Sequence, residues 1–153
     1  MTQKNEELLI EDLSCRIPYG VIVNVEGLSN VKLESVNWYY EVKVDDGSST
    51  DLYPISEVRP YLRPMSSMTD GEKEDLKSKC THTETEKDWE GIRSDRWGIQ
   101  ILEKYDTRNC DNPIWTSTIN MDAIDWLNKN HFDYRGLIKK GLAIEAPEGM
   151  YNF

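Results

Sequence analysis

The stretch that decides the fold is GVIVNVEG, residues 20–27. Three valines at alternating positions, Val21, Val23 and Val25, share one face of an extended chain, because successive side chains of a strand point to opposite sides. The polar side chains of the stretch fall on the other face. The sequence therefore predicts a half-buried β-strand whose valine face belongs to the core.

The same alternation of apolar and polar residues continues downstream of this strand. Residues 31–34 and 38–45 alternate, a turn is expected over 46–49, and 52–55 is a short strand-like run. Short strands separated by turns are typical of an antiparallel meander, which can close into a small barrel. We therefore expect an SH3-like antiparallel β-barrel, followed by a single helical turn over 56–60.

Helical signals flank the expected barrel. Asn5 is a suitable N-cap for a first helix, which should end near Cys15 because a proline three residues later disfavours helical backbone before it. A second, solvated helix is expected over 71–79, with its cap at Thr69 or at the next residue. Its single strong apolar residue makes it marginal in isolation.

A pair of helices is predicted near the end of the chain. Apolar residues recur at helical spacing over 121–130, and Asp133 can cap a second helix over 134–140. Gly141 suits the left-handed conformation that often ends a helix. The expected fold class is therefore α+β: a small SH3-like antiparallel β-barrel with an N-terminal helix and a C-terminal helical pair.

Three regions are expected along the chain, within one structural unit. Residues 1–64 hold the first helix and the barrel, and residues 121–153 the helix pair packed on the barrel. Residues 65–120 hold a hinge, the short helix and an irregular insertion with one or two strands, one of them over 97–103. A chain of 153 residues is ordinarily a single domain.

The charge of the chain excludes one large class of function. Lys and Arg number 18 against 28 Asp and Glu, which gives a net charge of −10, nearly all of it within residues 1–120. A protein that binds nucleic acid through its phosphates needs a basic surface, so no direct nucleic-acid binding is expected. The chain has no apolar run that could span a membrane, and its first residues are too acidic for a signal peptide. We expect a cytoplasmic protein with no membrane association.

Motifs for metal, cofactor or catalysis are missing from the sequence. The three cysteines show no C-x-x-C spacing, which fits a reducing compartment without disulfides. Zinc would require Cys80 and His82 to meet Cys110 from a separate segment, and we expect unliganded thiols instead. Neither a nucleophile elbow, a phosphate loop nor a dinucleotide-binding turn is present. No cofactor, metal or catalytic residue is therefore expected.

The most distinctive cluster is aromatic and consists of Trp38, Tyr39, Tyr40 and Tyr53. Trp38 and Tyr40 alternate in step with the valines that follow them, which favours a core position for both. Two alternatives stay open. The rings could form a cage for a cationic ligand, assisted by nearby acidic residues, or a contact surface for another protein.

Three blocks of sequence resemble a group of small bacterial proteins. They are LSCRIPYGV at 13–21, YLRPMSSMT at 61–69 and DWLNKNHFDYRGLIKKGLAIEAPEGMY at 125–151. These blocks are similar to proteins of Bacteroides-type gut bacteria and their prophages, whereas residues 81–119 depart from them and look like an insertion. No activity is established for that group, so the resemblance implies a cytoplasmic setting in mobile DNA and no catalytic residue.

The leading hypothesis is a non-enzymatic, prophage-associated accessory protein that acts as a protein-interaction module, with partner and oligomeric state unknown. An alternative is an acidic nucleic-acid mimic that inhibits a host DNA-binding protein, which requires carboxylates in rows at phosphate-like spacing. An enzyme ranks third and would need a deep pocket with titratable groups. The candidate interaction surface consists of six aromatic residues: Trp38, Tyr39, Tyr53, Trp126, Phe132 and Tyr134.

Overall fold

The chain divides into two compact units, residues 1–64 with 128–153 and residues 65–127. Between residues 88 and 117 the description is of backbone alone. The computed structural model describes residues 1–47, 51–79, 88–95, 98–104, 115–117 and 121–151. Its regular elements, in chain order, are α1 (Gln3–Arg16), β1 (Ile22–Val25), β2 (Leu28–Val36), β3 (Glu41–Asp45), β4 (Tyr53–Pro54), β5 (Arg59–Leu62), α2 (Asp70–Lys79), β6 (Asp88–Asp95), β7 (Gly98–Lys104), β8 (Trp115–Ser117), α3 (Met121–Lys129) and β9 (Ile144–Glu145).

The first unit is built on an open six-stranded sheet. Its strand order is β4-β3-β2-β1-β5-β9, antiparallel throughout except for the parallel pair β5–β9. The α+β class and the N-terminal helix are confirmed. A closed SH3-like barrel is not, because β4 and β9 lie at opposite edges of this sheet and do not pair with each other.

The core of this unit forms where α1 meets the valine face of β1. Val21, Val23 and Val25 are at most 1% exposed, and Leu9 and Leu13 of α1 are fully buried. Each such side chain contributes about 1.5–3 kcal/mol on burial. The predicted valine face is therefore confirmed. Helix α1 ends within one residue of its expected limit, but the prediction of Asn5 as its N-cap is wrong, because Thr2 caps the helix and accepts a hydrogen bond from the Asn5 amide.

The third strand begins later than the alternation indicated. β3 starts at Glu41, and residues 37–40 form the turn that joins it to β2. Trp38 is 96% exposed, so its predicted core position is wrong. Tyr40 is half-buried and packs against the edge of the core. Alternation alone did not reveal the turn, because the aromatic residues continue the strand pattern through it.

The predicted C-terminal helix pair is wrong in its second member. Residues 134–140 form successive turns, because Gly136 adopts a left-handed φ of +69° that interrupts helical backbone. Asp133 still caps the segment: its carboxylate oxygens accept hydrogen bonds from the amides of Leu137 (2.7 Å) and Ile138 (2.9 Å). After the left-handed Gly141, the chain turns and enters β9.

The second unit contains helices and a small sheet. Helix α2 begins with the expected cap, in which Thr69 and Glu72 exchange hydrogen bonds between side chain and backbone, and its Leu76 is fully buried. Strands β6, β7 and β8 form a three-stranded antiparallel sheet in the region where an irregular insertion with one or two strands is expected, and β7 lies within one residue of the strand expected over 97–103. Of the helices in the described ranges, none has the length and apolar character needed to cross a membrane.

Candidate functional site

The turn between β2 and β3 exposes two adjacent aromatic side chains. Trp38 is 96% and Tyr39 83% exposed, the highest values for large hydrophobic residues in the described part of the chain. We call this pair the aromatic apex. Removing an exposed aromatic ring changes the free energy of unfolding little. Such a ring offers a large area that can be buried against another molecule.

The side chain of Asn37 holds the backbone of this turn. Its Oδ1 accepts hydrogen bonds from the amides of Tyr39 (2.9 Å) and Glu41 (3.1 Å), and its Nδ2 donates to Glu41 Oε2 (3.0 Å). A backbone bond from the Asn37 amide to the Glu41 carbonyl (2.9 Å) closes the turn. Asn often replaces backbone hydrogen bonds in this way. These hydrogen bonds therefore hold the backbone that carries the aromatic apex in one conformation.

Tyr40 adds a strained backbone to the same turn. Its φ of +60° is left-handed, a conformation that costs a residue with a side chain about 1–2 kcal/mol. The amide of Ile55 donates to the Tyr40 carbonyl (2.7 Å), and the Tyr40 ring packs against the core. Strain of this kind persists where the surroundings impose it, often at sites of function.

Tyr53 and a group of carboxylates lie beside the hairpin. Tyr53 pairs with Val42 across β3–β4, is half-buried, and donates from its hydroxyl to Asp46 Oδ2 (3.0 Å). That hydrogen bond raises the pKa of Tyr53. Tyr53 therefore lies on the β3–β4 hairpin and not on the exposed turn between β2 and β3. We call four carboxylates of this region the acidic flank: Glu41, Asp45, Asp46 and Asp51.

Two members of the predicted interaction surface are buried and cannot serve as one. Phe132 is 0% and Tyr134 6% exposed. Their rings contact guanidinium groups: Arg63 lies 4.2 Å from the Phe132 centroid, and Arg16 and Arg135 lie 5.4 Å and 5.5 Å from that of Tyr134. These two residues contribute to the core of the first unit.

Trp126, the remaining member of the predicted surface, lies on α3 and is half-buried. It belongs to the second unit, whereas Trp38, Tyr39 and Tyr53 belong to the first. Only Trp38 and Tyr39 of the six candidates therefore form an adjacent, exposed pair.

The sequence reasoning missed a buried ion pair. Arg16 donates from Nε to Asp12 Oδ2 (2.7 Å) and from Nη2 to Asp12 Oδ1 (3.0 Å), with both side chains 0% exposed. The same Nη2 donates to the Phe132 carbonyl (2.9 Å), which joins α1 to the segment after α3. Its signal was available, because Asp12 and Arg16 are four residues apart on the side of α1 that carries Leu13.

His131 lies beside this ion pair and is 1% exposed. Its ring stacks on that of Tyr151, with centroids 3.8 Å apart and planes 18° from parallel. Burial, followed by the nearby charge of Arg16, lowers the pKa of His131 from 6.5 to about 4. The imidazole is therefore neutral at pH 7.

The pKa of His131 predicts a pH-dependent stability. Above pH 6.5 the imidazole is neutral in both states, whereas between pH 6.5 and about 4 only the unfolded chain takes up the proton. The free energy of unfolding should therefore fall on acidification through this range, by about 3 kcal/mol. Urea unfolding at several pH values measures it.

The His131→Asn variant is the control, since asparagine tolerates the left-handed φ of +56° at this position. It should be less stable at pH 7 but show a shallower loss of stability between pH 6.5 and 4. Equal slopes for the two proteins would contradict the assignment of this loss to His131.

No group of three or more His, Cys, Asp or Glu side chains is placed to hold a metal ion in the part of the chain that the structure describes. The cysteines and histidine considered for zinc, Cys80, His82 and Cys110, lie outside the described residues. Comparisons with protein-family models, curated proteins and solved structures found no match. The resemblance to proteins of Bacteroides-type bacteria and their prophages therefore stays a prediction.

Proposed function

We propose that this protein is a non-enzymatic protein-interaction module whose contact surface is the aromatic apex. The observation that carries the proposal is the exposure of Trp38 (96%) and Tyr39 (83%) on a turn fixed by Asn37. Tryptophan and tyrosine are enriched among residues that dominate binding energy. The resemblance to prophage proteins is the ground for adding an accessory role in mobile DNA.

The rigidity of the turn supports binding in a second way. Association loses free energy when mobile loops and side chains become ordered, and a preformed backbone avoids much of that loss. Asn37, the left-handed Tyr40 and its bond to Ile55 fix the backbone before any partner arrives. The fold thus presents two large rings at low entropic cost.

The test compares proteins captured from a lysate of the native host by the tagged chain and by a Trp38→Ala/Tyr39→Ala variant. Loss of two central aromatic contacts should reduce capture of the true partner by about 30-fold or more. The free energy of unfolding of the variant should lie within about 0.5 kcal/mol of that of the parent, since both side chains are solvated. Quantitative mass spectrometry and urea unfolding measure the two effects.

The matched control is Leu52→Ala/Met121→Ala, which removes two other exposed hydrophobic side chains, 49% and 72% exposed. It should capture the same proteins as the parent. An Asn37→Ala variant keeps both rings and loosens their support, so it should bind more weakly than the parent. If the parent and the apex variant capture identical sets in identical amounts, the proposal fails.

The alternative of a nucleic-acid mimic receives no specific support. Mimicry requires rows of carboxylates that keep their full charge. In the described ranges several carboxylates are instead paired with cations of the same chain: Glu34 with Lys43, Asp70 with Lys73 and Glu11 with Arg135. The contact proposal rests on the aromatic apex and does not need the net charge.

A further inference from the structure

We infer that the partner of the aromatic apex presents an apolar pocket rimmed by cationic side chains, into which Trp38 and Tyr39 insert. This inference rests on the proposed function and adds the chemistry and shape of the partner. Two observations carry it independently: the near-complete exposure of the rings and the excess of carboxylates on the strands that support them.

The exposure determines which molecule supplies the concave surface. At 96% exposure the indole of Trp38 contacts almost nothing of its own chain, and Tyr39 at 83% is similar. A ligand small enough to be enclosed by a protein would need walls around these rings, and the described residues of the first unit leave both rings exposed. Burying the rings therefore requires a pocket on the partner, so this chain is the inserting molecule.

The charge of the strands that carry the apex determines the rim of that pocket. The described residues of β2, β3, β4 and the turns between them carry five carboxylates and two lysines. One of the lysines, Lys43, already pairs with Glu34. On β3, Val42 and Val44 point into the core, so Glu41 and Asp45 lie on the opposite face of the strand, Glu41 directly after the apex turn and Asp45 at the far end of the strand. A partner with cationic groups at its rim complements this surface.

Two side chains on the hairpin respond to the same negative field. The pKa of Lys43 is raised, first by Glu34 and further by Asp45 and Asp46. The pKa of Tyr53 is raised by Asp46, with a smaller effect of Asp51. Asp45, Asp46 and Asp51 therefore contribute to a negative field along β3 and β4, which extends about 30 Å at 0.01 M salt but only about 8 Å at 0.15 M.

The experiment uses β-cyclodextrins, whose apolar cavity admits an aromatic side chain. Three hosts share that cavity and differ in rim: neutral, amino-substituted (cationic) and sulfoalkylated (anionic). Binding to the full chain is followed by the indole N–H signal of Trp38 in ¹H–¹⁵N spectra, identified among the five tryptophans with a Trp38→Phe variant. At 0.01 M salt the cationic host should bind about 5–10-fold more tightly than the neutral one, and the anionic host more weakly.

Charge variants distinguish the contribution of the host's charged rim to binding from that of its apolar cavity. Glu41→Gln/Asp45→Asn should reduce the preference for the cationic host to about 2-fold or less, since glutamine can still accept the bond from Asn37 Nδ2. The matched control, Glu145→Gln/Glu148→Gln, removes two exposed carboxylates in and just after β9, at the opposite edge of the sheet, and should keep the preference. Trp38→Ala/Tyr39→Ala retains every charge and should abolish specific binding of all three hosts.

The outcomes distinguish the inference from the proposed function. Equal binding of the three hosts at Trp38 would leave the contact surface intact and overturn the cationic rim. Failure of even the neutral host to perturb Trp38 would count against an accessible apex, and so against the proposed function itself. A shift of the Trp38 signal by vesicles of zwitterionic phosphatidylcholine, at concentrations where the cationic host has no effect, would overturn the inference in favour of a bilayer.

Discussion

Replacing Arg16 with methionine is expected to destabilise the fold by about 3 kcal/mol, because it leaves the buried carboxylate of Asp12 with only its longer ion pair, from Arg135 Nε to Asp12 Oδ1 (3.5 Å). The loss also removes the hydrogen bond from Arg16 to the Phe132 carbonyl, which joins α1 to the chain after α3. Small domains are stable by about 5–15 kcal/mol, so a loss of this size is a substantial fraction of the total stability. Urea unfolding followed by circular dichroism measures it.

The double variant Asp12→Leu/Arg16→Met gives the sharper result. Removing both charges eliminates the desolvation penalty together with the attraction, so the double variant should be more stable than Arg16→Met alone. Lys73→Met is the control, because its pair with Asp70 is exposed and should contribute less than about 1 kcal/mol. If the effects of Asp12→Leu and Arg16→Met simply add, the two side chains are not energetically coupled.

Local sequence signals predicted several elements of both units correctly. The valine alternation of β1 and the limit of α1 depend on neighbouring residues alone, and so does the cap formed by Thr69 and Glu72. Asp133 was recognised as a cap for the same reason, although the segment that it caps is a set of turns. Signals of this kind act over a few residues and survive in the folded chain.

Long-range pairing could not be predicted in the same way. Strand β5 contains Pro60, which argues against a strand in isolation, and β9 is only two residues long and pairs with β5 from far along the chain. Without β5 and β9, the pattern predicts only a meander of short strands, which is typical of a small closed barrel. The turn that carries the apex was difficult to predict, because Trp38 continues the strand alternation. Asn37, a turn-forming residue directly before it, was the signal that could have revealed the turn.

Tyr151 joins β1 and β5 at the point where their pairing stops. The register pairs Val23 with Pro60, which places Ile22 opposite Tyr61 as the next pair. There the Tyr151 hydroxyl accepts a hydrogen bond from the Ile22 amide (3.0 Å) and donates one to the Tyr61 carbonyl (2.8 Å). A single side-chain hydroxyl thus replaces a backbone bond of the ladder, and burial raises the pKa of Tyr151 to about 12, which keeps it protonated.

Tyr151→Phe should therefore cost about 2–4 kcal/mol, more than one hydrogen bond usually contributes, because it leaves a donor and an acceptor of the backbone unsatisfied together. The phenylalanine ring can still stack on His131, so the change isolates the hydroxyl from the packing. Tyr39→Phe, at an exposed ring, is the control and should change stability by less than about 0.5 kcal/mol. Urea unfolding measures the change in the free energy of unfolding. Hydrogen exchange of the Ile22 amide shows whether the loss arises from its bond to the Tyr151 hydroxyl. Unchanged protection of that amide would contradict a role of the hydroxyl in this bridge and leave Tyr151 contributing through its ring alone.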